Sequence, residues 1–327
     1  MCGIAGFFSK KHSAEKHLPQ MTARLYHRGP DDQGLWVSKN GEVGLGQRRL
    51  SILDLSANGH QPMIAKDQVL SYNSEVYNFR ELRKDLETKG YTFKSDTDSE
   101  VILHGLDAWG PDCISKLNGM WGLIHYNETT QTIFASRDRC GIKPLYYFWD
   151  GQNFLIASEV KSILASGLVK AEVDLDGLNE YFSFQNVISD RTLFAGIRML
   201  PQGCNLTLDL RSGRLDIQKY WDFDFTPDTK MTEDDAVDLF LGEFDRAVER
   251  HLISDVKVGA TISGGMDSSA IVSAATKHLP HLNTFTGYFN TNDMNSGDRS
   301  FSERFDAQLV SKTFGTNHFE RLVSYQD

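Results

Sequence analysis

The sequence contains few cysteines and prolines, and it has no long apolar run. Its 327 residues include 4 cysteines and 8 prolines. The cysteines form no C-x-x-C pair, which argues against a zinc ribbon or a disulfide framework. No apolar stretch approaches the roughly 18 residues that a membrane span needs. A reducing compartment is the simplest location, and we therefore expect a cytoplasmic protein.

Basic residues are also in deficit. The 34 Lys and Arg face 44 Asp and Glu, which gives a formal net charge of −10. Binding to nucleic acid or to an anionic membrane surface needs a basic excess or a basic stripe. The cluster at residues 47–49 is too short to supply one, so neither partner is expected. The apolar N-terminus lacks a preceding basic region and predicts a strand rather than a signal peptide.

Up to about residue 210 the pattern is one of short strands separated by Gly, Asn and Asp turns. The predicted strands are residues 4–8, 43–46, 69–72, 120–126, 132–136, 146–149 and 154–157. Two helices are predicted, at 97–109 and at 78–90, the latter opened by a capping box between Asn78 and Glu81. Sheets covered by a few helices indicate an α+β first domain.

A polar, proline-containing segment at residues 222–232 precedes a second pattern. Thr232 and Asp235 predict the start of a long amphipathic helix. Strand 256–262, a helix ending before Pro280, strand 283–289, helix 302–314 and a strand near 318–323 follow. This alternation predicts a parallel α/β sheet. The predicted division is residues 1–215 as the first domain, 216–232 as the linker and 233–327 as an incomplete second domain.

Cys2 is the first candidate for chemistry. If Met1 is removed, which a small second residue permits, the α-amino group of Cys2 can act as general base toward its own thiol. An α-amino pKa of about 7.7–8.0 suits that role near neutral pH. A cysteine at position 2 with no other signal is more often a small buried residue of an edge strand.

A glycine-rich loop at residues 263–269, SGGMDSS, lies between a predicted strand and a predicted helix. Its glycines let backbone N–H groups approach a phosphate, and the helix dipole favours an anion. Ser263 and Ser268 can donate to phosphate oxygens, and Asp267 can hold Mg²⁺. The loop lacks the lysine of the G-x-x-x-x-G-K-[ST] motif. Nucleotide binding is predicted, with an ordinary strand-to-helix turn as the alternative.

Both candidates belong to an ordered series of motifs. The series consists of MCGIAG at 1–6, HRGPD at 27–31, RLSI at 49–52, DLS at 54–56, NSEVYN at 73–78, DSEVIL at 98–103, RDRCGIKPLY at 137–146, ASEVK at 157–161, YW at 220–221 and the loop at 263–269. With it, the sequence resembles glutamine-hydrolysing asparagine synthetases over essentially its whole length. The resemblance implies an N-terminal-nucleophile αββα sandwich followed by a truncated parallel-sheet domain of the adenine nucleotide α-hydrolase type.

The resemblance implies a two-step enzyme. Cys2 would hydrolyse glutamine through a glutamyl thioester, and the ammonia would pass through an internal tunnel to a synthetase site. There ATP, with Mg²⁺, would have adenylated the acceptor carboxylate of aspartate, so that the products are asparagine, AMP and pyrophosphate. A homodimer or a complementing C-terminal chain is the expected protein partner.

The resemblance also implies roles for particular residues. The predicted catalytic residues are Cys2, Asn73 and Ser74, the predicted glutamine-binding residues are Arg49, Leu50, Ile52, Asn73, Glu75 and Asp98, and the predicted ATP-binding residues are Thr261, Ser263, Gly264, Gly265, Asp267 and Ser268. Arg49 would grip the glutamine α-carboxylate bidentately, while Glu75 and Asp98 would accept from the α-ammonium. The Asn73 amide and the N–H of Ser74 would stabilise the oxyanion. Asp267 would hold Mg²⁺ through the phosphates.

The sequence departs from the family pattern in two places. The family usually has glycine where this chain has Ser74. If that position has a positive φ, serine is strained by roughly 1–2 kcal/mol, and Ser74→Gly is expected to raise kcat for glutamine hydrolysis. The family's synthetase half also continues well beyond the first nucleotide loop, so a fragment or a chain needing a complementing partner is expected.

Two alternatives stay open on these residues. The same glutaminase could feed another acceptor, such as a sugar acid or a secondary-metabolite carboxylate, because the acceptor-binding residues would lie outside this sequence. A degenerate, non-catalytic remnant is the other alternative. Ser74 and the truncation favour it, and it is opposed by the retained Cys2, Arg49, Asn73, Glu75 and Asp98. Glutaminases that feed sugar or purine amination would lack the loop at 263–269.

Overall fold

The structure is a computed structural model that describes residues 1–289 and 303–324. Its contacts divide the chain into two compact units, Met1–Asp224 and Phe225–Asp327. Each unit has buried apolar clusters of its own. The two-domain organisation expected from the change of sequence pattern is therefore present, and each unit is described by itself below.

Two antiparallel six-stranded sheets form the first unit. Their strands are β1 Gly3–Ser9, β2 Asp32–Val37, β3 Val43–Arg49, β4 Met63–Ala65, β5 Gln68–Val76, β6 Gly119–Asn127, β7 Thr132–Arg137, β8 Tyr146–Trp149, β9 Asn153–Ala157, β10 Ile197–Met199, β11 Cys204–Asp209 and β12 Leu215–Lys219. One sheet has the order β10-β8-β9-β1-β3-β2, and the other has the order β12-β11-β7-β6-β5-β4.

Helices cover both sheets. They are α1 Ala14–Ala23, α2 Phe79–Thr88, α3 Asp98–Trp109, α4 Cys113–Lys116, α5 Val160–Leu164 and α6 Leu175–Phe184. Because successive side chains of a strand point to opposite faces, β1 serves two cores. Its Ile4 and Phe8 lie in the cluster between the sheets, and its Ala5 and Phe7 lie in the cluster that includes α1 and α5. On the other side α3 packs against β5, which gives the predicted αββα sandwich.

The structure contains all seven predicted strands and both predicted helices of this unit. The predicted capping box at Asn78 is wrong, because the Asn78 side chain makes no cap hydrogen bond. Its Nδ2 donates to the Lys116 carbonyl oxygen at 2.9 Å, and its Oδ1 accepts from the Asn118 N–H at 2.8 Å. Asn78 thus ties the start of α2 to the turn before β6.

The boundary predicted at residue 215 falls at the start of β12. This strand pairs with β11, Ile217 opposite Leu206, and Ile217 packs against the cluster between the sheets. The predicted linker begins at residue 216, but residues 215–219 belong to the first unit.

The second unit is built on a parallel three-stranded sheet. Its elements are α7 Glu233–His251, β13 Gly259–Thr261, α8 Met266–His278, β14 Asn283–Phe289, α9 Arg304–Phe314 and β15 Asn317–Val323, and the sheet order is β13-β14-β15. The capping box at Thr232 and Asp235 is confirmed. The start predicted for the helix at residue 302 lies outside the described residues. In the described part of the chain, no helix has both the length and the apolarity needed to cross a membrane.

Candidate functional site

Most of the predicted glutaminase residues surround one pocket of the first unit. The ends of three secondary-structure elements meet there. Strand β1 starts after Cys2, strand β3 ends at Arg49 and helix α3 starts at Asp98. The pocket is lined by Cys2, Arg49, Leu50, Ile52, Leu53, Gln61, Tyr72, Ser74, Glu75, Thr97, Asp98 and Ser99. Seven of these twelve residues were predicted from the sequence. The arrangement brings one thiol, one guanidinium and two carboxyl groups together.

Cys2 is held on both its side chain and its main chain. Its Sγ accepts from the Leu50 N–H at 3.4 Å and donates to the Leu50 carbonyl oxygen at 3.6 Å. Its carbonyl oxygen accepts from Arg28 Nε at 2.9 Å. Burial raises the pKa of the Cys2 thiol. The thiol therefore needs a base before it can act as a nucleophile.

Arg49 is buried, and its guanidinium is engaged by main-chain carbonyl groups. Nη2 donates to the oxygens of Leu53 and Asp54 at 2.9 and 2.7 Å, and Nη1 donates to that of Ser56 at 3.4 Å. A guanidinium binds a carboxylate bidentately either through Nε and Nη2 or through Nη1 and Nη2. Both arrangements use an N–H of Nη2. The bidentate grip predicted from the sequence therefore needs the carbonyl groups of Leu53 and Asp54 to release Nη2.

The two carboxyl groups have raised pKa values. Burial raises the pKa of Glu75 to about 7, and the neighbouring Asp98 acts in the same direction while the buried Lys143 opposes it. Burial raises the pKa of Asp98 to about 6, although its Oδ2 accepts from Tyr72 OH and from the Val76 N–H, both at 3.0 Å. Two neighbouring carboxyl groups that resist ionisation favour a cationic ligand beside them.

Asn73 and Ser74 lie in the interior of β5, where they pair with Gly122 and Trp121 of β6. Ser74 is not among the described residues with a positive φ. The prediction that a serine at this position strains the backbone is therefore wrong. An extended strand accepts a serine without backbone cost. Asn73 Nδ2 is buried and has no hydrogen-bond partner in the described part of the chain.

Several polar residues of this site are not predictable from the sequence motifs. Tyr72, Gln61, Thr97 and Ser99 line the pocket, and the Gln61 side chain bridges to Ser99 Oγ and to the Tyr72 N–H, both at 2.9 Å. Tyr72 directly precedes the NSEVYN motif and could have been found by the two-residue repeat of a strand, since it shares a face with Ser74. Gln61 could not have been found in this way, because its partners are distant in sequence and no local sequence pattern indicates them.

The predicted nucleotide loop lies between β13 and α8 in the second unit. Gly264 has a φ of +79°, and a side chain there would collide with Asp306, so the loop needs glycine at this position. Ser263 Oγ and Ser268 Oγ are 3.1 Å apart, and Gly265 N–H donates to Ser263 Oγ at 3.2 Å. No side chain caps the N-terminus of α8 in the described structure. Thr261 ends β13 beside this loop.

Comparisons with known proteins match both units. A family described as glutamine amidotransferase domain matches residues 1–221, and one described as asparagine synthase matches residues 240–327. Asparagine synthetase (glutamine-hydrolyzing) 3 of Bacillus subtilis is 36% identical, with 100% of this chain and 55% of that protein covered. Putative asparagine synthetase (glutamine-hydrolyzing) 2 of Methanocaldococcus jannaschii is 35% identical, with 99% and 67% covered.

The chain spans about half the length of the Bacillus subtilis relatives that it matches. Among solved structures, one described as the allosteric regulatory enzyme of purine biosynthesis has a TM-score of 0.53 at 13% identity, with 99% of this chain and 90% of that chain covered. At this identity the likeness concerns the fold alone. It agrees with the two-domain α+β architecture described above.

Proposed function

Because the chain belongs to the glutamine-hydrolyzing asparagine synthetase family, we propose that its first unit hydrolyses glutamine through Cys2 and that its second unit serves an ATP-dependent transfer of the ammonia to a carboxylate, that of aspartate. The family supports glutamine and ATP as substrates. Aspartate, Mg²⁺, a cytoplasmic location and a homodimer or complementing chain are part of the proposal. The four free cysteines fit a reducing compartment.

The proposed glutaminase step uses the α-amino group that Cys2 gains when Met1 is removed. The amine accepts the thiol proton while Sγ attacks the side-chain carbonyl carbon of glutamine. The C–S bond forms, the C–N bond breaks with the proton transferred to the leaving nitrogen, and ammonia departs from a γ-glutamyl thioester. Water then hydrolyses the thioester, so that glutamate leaves and the thiol is restored.

The unpaired Asn73 Nδ2 carries this proposal. A buried donor without a partner costs about 1–3 kcal/mol, and Asn73 directly precedes Ser74 and Glu75 on the pocket wall. An oxyanion that forms at the thioester carbon would pair with this donor. The free-energy cost of the unpaired Asn73 donor is then relieved in the transition state. An interaction that is stronger in the transition state than in the ground state accelerates the reaction.

The charged residues of the pocket fit the two ends of glutamine. Glu75 and Asp98 would accept from the α-ammonium, whose charge would offset the burial that raises both of their pKa values. Arg49 would receive the α-carboxylate once the carbonyl groups of Leu53 and Asp54 release Nη2. Leu50 and Ile52 would pack against the aliphatic part of the substrate.

The second unit fits a polyphosphate at the N-terminus of α8. Thr261, Ser263, Gly264, Gly265, Asp267 and Ser268 would hold ATP, with Mg²⁺ bound to Asp267 through the phosphates. When bound, ATP supplies the adenylyl group that makes the acceptor carboxylate reactive. The fit rests on the left-handed Gly264 and on an α8 N-terminus that has no side-chain cap, which favours an anion there.

The test is glutamate release from glutamine without ATP, by the purified chain and by Cys2→Ala, with the N-terminus of each confirmed by intact mass. We expect turnover by the processed chain and a loss of at least about 10³-fold in Cys2→Ala, because no other group replaces the nucleophile. Absence of turnover in a chain that begins at Cys2 would contradict the proposed function.

A further inference from the structure

Tyr72 is a buried tyrosine of β5 that lines the pocket together with Asp98. It is 2% exposed, and its hydroxyl group donates to Asp98 Oδ2 at 3.0 Å. Burial raises the pKa of this hydroxyl group well above its ordinary value, and Asp98 and Glu75 act in the same direction. The hydroxyl group therefore remains a donor at neutral pH. None of the roles assigned above to the pocket uses Tyr72.

The main chain of Tyr72 is held by two glutamine side chains. Its N–H donates to Gln61 Oε1 at 2.9 Å, and its carbonyl oxygen accepts from Gln47 Nε2, which belongs to β3 of the other sheet, at 3.1 Å. Gln61 Nε2 in turn donates to Ser99 Oγ at 2.9 Å, and Ser99 follows Asp98 in α3. Tyr72 is therefore fixed relative to the helix start that carries Asp98.

The protein holds one oxygen of the Asp98 carboxylate with two donors. Oδ2 accepts from the Tyr72 hydroxyl group and from the Val76 N–H, both at 3.0 Å. Asp98 is 5% exposed, and burial raises its pKa to about 6 although these hydrogen bonds oppose the rise. Loss of one donor would favour the protonated form further. A protonated Asp98 has no charge with which to attract an ammonium group.

We propose that Tyr72 is a positioning residue whose hydroxyl group holds Asp98 Oδ2, so that the carboxylate presents Oδ1 to the α-ammonium group of glutamine. This inference rests on the glutaminase function proposed above. Tyr72 acts through Asp98 and not on the reacting atoms. Because the α-ammonium group takes no part in the bonds that form and break, loss of the hydroxyl group weakens glutamine binding and leaves the chemical step in place.

The test measures the glutaminase kinetics of the full chain and of Tyr72→Phe, on protein shown by mass to begin at Cys2. Phenylalanine keeps the ring that fills the interior and removes only the hydroxyl donor. Hydrogen bonds to charged groups are among the stronger ones, so we expect KM for glutamine to rise about tenfold and kcat to change less than about threefold. The dissociation constant of glutamine, measured by calorimetry in the Cys2→Ala background, should rise by the same factor.

Asp98→Asn shows whether Tyr72 acts through the carboxylate. Asparagine has nearly the same shape as aspartate but no negative charge to offer to the ammonium group. In the Asp98→Asn chain, adding Tyr72→Phe should therefore change KM by less than about threefold, because the two changes remove the same interaction. A role of Tyr72 in packing alone would give equal losses in both backgrounds.

Tyr126→Phe is the matched control. Tyr126 is also 2% exposed and lies in the same unit, and its hydroxyl group accepts from Gln131 Nε2 at 2.8 Å. It does not line the pocket, so both kinetic constants should stay unchanged. If Tyr72→Phe does not fold, Tyr72→Met replaces it with the same expected KM, since methionine adapts to irregular space in a core and also lacks the hydroxyl donor.

A KM of Tyr72→Phe within about threefold of that of the unmodified chain would overturn the inference. So would an equal rise of KM in the parent and Asp98→Asn backgrounds, or a fall in kcat at unchanged KM, which would place Tyr72 in the chemical step. If the processed chain binds glutamine without turnover, the glutaminase proposal fails, and the dissociation constants in Cys2→Ala still test Tyr72. A chain that binds no glutamine contradicts both.

Discussion

At the residue scale, the sequence motifs predict several side chains of the site but not the tertiary contacts that these side chains make. Cys2, Arg49, Glu75 and Asp98 occur in recognisable motifs, and all four line one pocket. The state of each group depends on burial and on distant neighbours. The occupation of Arg49 by the carbonyl groups of residues 53–56 and the extended conformation of Ser74 are tertiary facts. No spacing rule encodes them.

Glu75 gives a prediction that separates stability from function. Its pKa is about 7 in the folded protein against 4.5 as an ordinary value, so the folded state binds a proton more tightly than the unfolded state does. Between these two pKa values the stability contributed by this site falls as pH rises, and above about pH 7 the full penalty applies. Glu75→Gln should therefore stabilise the first unit at pH 8 by about 1–3 kcal/mol and leave its stability nearly unchanged at pH 4.

The measurement is urea unfolding at both pH values followed by tryptophan fluorescence, because all five tryptophans lie in the first unit. Exposed Glu81→Gln on α2 is the control. The same Glu75→Gln protein should lose about 10–100-fold in kcat/KM for glutamine, since a charged acceptor for the α-ammonium is removed. A Glu75→Gln protein that is less stable at pH 8 than at pH 4, relative to the parent chain, would contradict the argument.

At the scale of elements, the periodicity of apolar residues and the helix-capping residues predicted those helices and strands in which these signals are strong. The Thr232 capping box and the strands of β5 to β9 were predictable for this reason. Helix α1 was missed because Pro19 lies inside it, and proline is ordinarily a helix breaker. Strand β12, in which only Leu215 and Ile217 of the five residues are apolar, was also missed.

The loop after β7 depends on a single carboxylate, and this gives a prediction for an element. Asp138 is 1% exposed and accepts from the N–H groups of Trp121, Ile142 and Lys143 at 3.2, 2.8 and 2.9 Å. Asp138→Asn replaces one acceptor oxygen with an amide donor that faces an N–H group. The free energy of unfolding of the first unit should fall by about 2–4 kcal/mol.

Asp209→Asn is the matched control for this prediction. The Asp209 side chain accepts from the N–H groups of Arg211 and Ser212 at 2.8 and 3.0 Å, in an exposed turn between β11 and β12. Water can replace those bonds, so the loss should be much smaller than in Asp138→Asn. Equal losses in the two variants, measured by urea unfolding and tryptophan fluorescence, would show that burial does not set the strength of the Asp138 contacts.

At the scale of the whole molecule, the sequence predicted two domains of different class because the hydrophobic period changes near residue 222. The first unit is a sandwich of two antiparallel sheets, and the second unit is built on a parallel sheet. The thiol pocket lies in the first unit and the glycine-rich loop lies in the second. The exact boundary was not predictable, because β12 joins the first unit through pairing with β11.

The central claim is that Cys2 is the nucleophile of a glutaminase, and trapping the acylated enzyme tests it most directly. The full chain is incubated with glutamine, quenched in acid and digested, and the N-terminal peptide is weighed. We predict a γ-glutamyl adduct on a peptide that begins at Cys2, removable by hydroxylamine as a thioester should be, and no adduct in Cys2→Ala. Glutamate release that persists in Cys2→Ala, or an adduct on any other residue, would contradict the account.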